Sequence, residues 1–210
     1  MQAHLLRLLS FLFYGTGRSV AWLARLLWEQ EVESSNLSVP TIFSSVTAEE
    51  VRDKLGLEPH PEGGWFRRTY QSEECLHLER GTRFAGTSIY YLLSGEENSV
   101  LHCLKSDEIF YYHLGCGLTL HLFDEVGYAK KSLGPDLFNG EEQQIIIEAG
   151  TTFAAEPSSR SSWCLISCSV CPGFEFEDFD WGDTHNLIMR FPEHEGLLDR
   201  LSKEPHHENS

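Results

Sequence analysis

Positive charge is scarce in this sequence: 16 lysines and arginines stand against 32 aspartates and glutamates in 210 residues, a formal net charge of −16. Phosphate backbones and anionic lipid repel such a chain, which argues against a nucleic-acid polymer as partner. Long apolar runs are missing as well. No stretch of ~20 residues avoids both charge and glycine, so no stable membrane span is expected. The six cysteines (Cys75, Cys103, Cys116, Cys164, Cys168 and Cys171) include one C-x-x-C, at 168 and 171. No second C-x-x-C or C-x-H stands at zinc-finger spacing, which argues against a structural zinc. Reduced, buried thiols are expected rather than disulfides. Internal repeats and low-complexity tracts are absent, and the length fits one domain with extensions.

Acid is absent from residues 1–28, which hold Arg7, Arg18 and Arg25. Setting these three aside takes the charge of the remainder to −19. At about 100° per residue, Arg18 falls about 20° from Arg7 and Arg25 about 0° from it, one stripe of an amphipathic helix. The segment therefore reads as a targeting-like helix for a mitochondrion or other organelle. A secretory signal or anchor is one alternative, and an untargeted appendage on a cytoplasmic protein is another. Residues 29–45 are acidic and serine-rich and read as a linker. A short helix should follow. Thr47 is its N-cap, Glu50 completes a capping box, Val46 staples to Val51, and Gly56 ends it.

What is abundant is the currency of strands: 13 phenylalanines, 17 glycines and short apolar runs between turn residues. Strands are expected at 65–70, 82–93, 99–105, 108–114, 118–123, 143–148, 152–155 and 163–171, which argues for a mainly β sandwich or barrel. Helical spacing resumes from Asp183 to Leu201, interrupted at Pro192, before a polar tail at 203–210.

Residues 99–115, SVLHCLKSDEIFYYHLG, form two of these strands and a tight turn. Alternation puts Val100, His102 and Leu104 on one face and Glu108, Phe110 and Tyr112 on one face of the next strand, so His102 and Glu108 both look into a barrel mouth. The same stretch resembles the first motif of the cupin superfamily: His-x-His, three or four residues, Glu, six residues, Gly. EAGTTFAAE at 148–156 stands where the second motif lies. HPEGGWFRRTY (60–70), SIYYLLSG (88–95), PGFEFEDFDWGD (172–183) and FPEHEGLLDRL (191–201) are similar, in order and spacing, to the cupin type 5 subfamily, whose activity is undefined. The resemblance covers residues 46–202. It implies a cupin double-stranded β-helix, a jelly-roll barrel of the kind shared with deoxysugar epimerases and seed-storage proteins, and a homodimer.

The departures from the pattern decide the chemistry to expect. Leu104 replaces the second histidine, Glu148 the proline and Phe153 the last histidine, while Cys103 replaces an arginine common in the subfamily. A cupin metal usually takes three imidazoles and a carboxylate, and only His102 and Glu108 remain. No metal and no cofactor is therefore expected. The surviving pair suggests acid–base work on a small molecule, a sugar or nucleotide-like ligand. The catalytic candidates are His102, Glu108 and Tyr112. The ligand-binding candidates are His60 and Glu62 at the HPEGG turn, Arg67, of which only it or Arg68 can face inward, Tyr70, and Gln144. The first expectation is a carbohydrate or nucleotide-sugar epimerase or isomerase. A non-catalytic binding or storage-like cupin is the alternative, and a metal-dependent cupin enzyme the third.

Overall fold

The computed structural model describes residues 46–95 and 97–202. The targeting-like helix, the linker and the polar tail lie outside the described residues.

Helix α1 (Ala48–Leu55) starts as its capping residues dictate: the Glu50 amide donates to Thr47 Oγ1 at 3.2 Å, and Glu50 Oε2 accepts from the Thr47 amide at 2.8 Å. Gly56, at φ 61°, ends it in the left-handed region. Val51 and Val46 join Leu92, Trp163 and Leu165 in a small cluster, so the helix packs on one face of a sheet.

Thirteen strands follow among the described residues: β1 (Glu58–Pro59), β2 (Trp65–Gln71), β3 (Cys75–Leu78), β4 (Gly81–Phe84), β5 (Thr87–Ser94), β6 (His102–Leu104), β7 (Asp107–Gly115), β8 (Leu118–Phe123), β9 (Tyr128–Leu133), β10 (Gln144–Ile147), β11 (Thr152–Pro157), β12 (Trp163–Cys171) and β13 (Phe179–Trp181). They form a six-stranded sheet, β1-β2-β5-β12-β7-β10, and a five-stranded sheet, β13-β6-β11-β8-β9, with β3 and β4 as a separate hairpin. All the pairings between these strands are antiparallel. Side chains from both sheets, among them Leu93, Phe110, Leu120, Phe153 and Ile166, make one core, the filling of a jelly-roll barrel. Burial of each such side chain is worth roughly 1.5–3 kcal/mol.

Strand β8 is buried along its whole length, although an antiparallel strand ordinarily shows one wet face. The reason lies after Asp183. Helices α2 (Thr184–Arg190) and α3 (Glu195–Leu201) bring Leu187, Phe191 and Leu198 over Phe123, Leu101 and Ala154 on the outer side of the small sheet. Gly115, which closes the His102–Glu108 motif, has φ 91°, and a Cβ there would run into the Trp163 carbonyl. The position therefore demands glycine.

The strand expected over 82–93 is two strands, β4 and β5, parted at Ala85–Gly86, where Ala85 N–H donates to Glu74 O and Gly86 O accepts from Ser72 N–H. Strands β1, β3, β9 and β13 had no counterpart in the sequence pattern. In β9, an edge strand, Lys130 and Lys131 hide the alternation, as charge on sheet edges commonly does.

Candidate functional site

The turn His60–Gly64 enters the barrel because two glycines let it fold tightly. Gly64 has φ 69°, and a Cβ there would stand 2.5 Å from Leu92 O. His60 N–H donates to Gly64 O at 2.9 Å, Gly63 N–H to His60 O at 3.0 Å, and the buried Tyr91 hydroxyl to Gly63 O at 2.8 Å. The Val100 amide donates to Glu62 O at 2.8 Å. Two of these hydrogen bonds close the turn on itself, and two hold it against β5 and the segment before β6, with the Glu62 side chain buried inside.

A cavity of about 120 Å³ opens there, lined by His60, Glu62, His102 and Glu108 among apolar walls that include Phe66, Ile89, Leu104, Phe110, Val170 and Phe174. His102 packs against Phe153 at 4.2 Å between ring centroids and stacks on Phe179 at 5.4 Å and 17°. Its Nδ1 lies 2.7 Å from Val100 O. A carbonyl only accepts, so Nδ1 carries the hydrogen and Nε2 faces Glu62 Oε2 at 3.3 Å. Burial lowers the His102 pKa to about 4, so the imidazole is neutral near pH 7. Burial, and then the neighbouring Glu108, hold Glu62 well above the carboxylate range. Burial therefore favours the neutral form of the Glu62 carboxyl beside the neutral His102 imidazole.

His60 accepts the Glu62 amide at Nδ1, 3.2 Å away, and burial lowers it to about 4 as well. Glu108 is pushed up to about 7, mainly by burial, although the Cys168 thiol beside it favours the charged form. Glu108 Oε2 is buried and has no hydrogen-bond partner. An unpaired buried acceptor of this kind costs about 1–3 kcal/mol, and here it faces a cavity.

Of the eight site residues expected from sequence, His60, Glu62, His102 and Glu108 converge on this cavity. The other four do not line it. Tyr112 lies further along β7, and its hydroxyl donates to Gly115 O at 2.7 Å. Arg67 is exposed and sits 5.9 Å over the Tyr90 ring, while Arg68, on the same face as Phe66, borders the cavity. Tyr70 is 57% exposed, because the register shifts between Arg68 and Tyr70 and breaks the alternation. Gln144 is exposed, because Ile145 and Ile147 take the inward positions of β10. Tyr91, Cys168 and Phe174 were missed. Phe174 stands in the PGFEFEDFDWGD stretch, and Tyr91 lies in SIYYLLSG beside a second tyrosine that alternation alone does not rank.

The metal a cupin barrel usually holds does not fit these donors. Leu104 lines the cavity, Phe153 lies against the His102 ring, and both His102 nitrogens face protein oxygens. Among the described residues no three His, Cys, Asp or Glu side chains are grouped to hold an ion.

The profile of the cupin superfamily (DUF985) matches residues 49–182. The chain belongs to this cupin family. Two solved structures are similar to it over most of their length. A hypothetical protein from Leishmania major is 32% identical with a TM-score of 0.69, covering 76% of this chain and all of its own. A protein from Shewanella oneidensis is 33% identical, also at 0.69, covering 76% of this cupin and 99% of its own chain. Among curated proteins none matches. No helix among the described residues of the cupin is long and apolar enough to cross a membrane.

Proposed function

We propose that this cupin binds a small molecule in the barrel cavity and moves a proton within it, as a metal-independent epimerase or isomerase acting beside a carbonyl. The observation that carries the reading is Glu108: a buried carboxyl with an unpartnered oxygen on the cavity wall and a pKa brought to about 7. A general base or acid works best with its pKa near the working pH. Ionised Glu108 takes the proton from the carbon next to the carbonyl. The C–H electron pair forms the C=C bond of an enol, and the carbonyl oxygen receives the proton held by Glu62. Return of a proton to carbon and of the enol proton to Glu62 completes the cycle with no net change in the protein. His102 positions Glu62, and Tyr112 has no part.

Substrates of carbohydrate or nucleotide-sugar type would place the reacting carbonyl inside and an anionic group at Arg68 on the rim. The homodimer implied by the family resemblance belongs to the same reading. A second reading, non-catalytic binding, draws support from the apolar walls.

The test is deuterium uptake from D₂O into small keto-sugars and keto-acids that protect the protein against thermal unfolding. The wild type should exchange the hydrogen beside the carbonyl, and Glu108→Gln should lower the rate by 100-fold or more, within the usual range of a general base. Protection without exchange by any of these compounds would replace catalysis with simple binding.

A further inference from the structure

We propose that the ligand of the barrel cavity is a small organic monocation, an amine whose ammonium group sits against Glu108 and whose apolar body lies on Phe66, Phe110 and Phe174. The inference rests on reading the cavity as a ligand site and narrows its substrate class to amino-carbonyl compounds, in place of the anionic nucleotide-sugar type.

The comparison within the molecule is what points there. Two other acids set into the fold are met by arginine. Asp178 receives Arg83 Nε at 2.8 Å, Arg83 Nη2 at 2.9 Å and Arg80 Nε at 3.1 Å. Glu156 receives Arg200 and, at 3.0 Å, His121 Nε2. Glu62 and Glu108 are buried together without such a partner. The groups facing them are His60, His102, Tyr91 and Cys168, all neutral near pH 7. The cation on the cavity lining is Arg68, which is exposed and donates to Gln71 Oε1 at 2.8 Å. An ammonium group supplies the missing charge and donates to the unpartnered Glu108 Oε2. Aromatic faces attract the same charge. The bound cation then leaves Glu108 ionised, the form that acts as base.

Binding an ammonium ion therefore expels one proton from Glu108 at pH values below about 7 and none well above it. Isothermal titration of the full chain with benzylamine, benzyl alcohol and benzoate, in buffers of different ionisation heat, reads both affinity and protons. Benzylamine should bind about tenfold more tightly per pH unit on the acid side of this value, with proton release, and level off above it. Glu108→Gln, checked for folding by its melting curve, should abolish that dependence. Benzyl alcohol binding as tightly as benzylamine on both sides of the Glu108 pKa would overturn the inference while leaving the cavity a ligand site. Binding by none of the three would remove the ligand-site reading as well.

Discussion

At the scale of single residues, Glu108 carries the account, since its environment opposes charge and one of its oxygens lacks a partner. The sign of its effect on stability follows. Its pKa is raised on folding from 4.5 to about 7, so its contribution to stability is full below 4.5 and is lost as pH rises through about 7. His60 and His102 run the other way: lowered from 6.5 to about 4, their contribution is present above 6.5 and lost as pH falls through about 4. Glu108→Gln removes only the first effect. Relative to wild type it should gain on the order of 3 kcal/mol between mildly acid and mildly alkaline pH in urea unfolding, and an unchanged difference would refute the raised pKa. His102 and Glu108 were legible because strand alternation is robust over three or four residues. Tyr70 and Arg67 were not, since a single register shift and a parity choice decide which side chain faces inward.

At the scale of elements, the cavity wall at Phe174 and Phe176 belongs to the segment between β12 and β13, which has little regular structure of its own. Asp178 ties it down, paired with Arg80 and Arg83 from the β3–β4 hairpin. Removal of one partner from such a buried group leaves the others unpaired. Asp178→Asn should lower the melting temperature by several degrees and weaken ligand binding in the cavity, with the far-ultraviolet circular dichroism unchanged; unaltered melting and binding would show that the ion pairs do not hold the wall. Part of the barrel was readable in the sequence: strand β8 and strand β12 have the expected bounds, and helix α1 has the expected capping box. The hairpin was not, because Cys75–Leu78 is short, mostly exposed and flanked by acids, and it gains its place through Arg80 and Arg83 reaching Asp178. No local pattern encodes a contact across 95 positions.

For the whole molecule, the net charge of −16 draws small cations toward the protein surface. Family and architecture followed from several motifs in one order. The chemistry did not follow from motif spacing alone, since Glu62 meets His102 through a turn that no spacing rule orients. On this reading burial keeps a barrel carboxyl protonated up to a pH of about 7. Infrared titration of the full chain and of Glu108→Gln tests it most directly, read at the carbonyl band of protonated carboxyls. The account expects a band absent from the variant that persists until pH approaches about 7. Loss of that band near the ordinary glutamate value of 4.5 would contradict it.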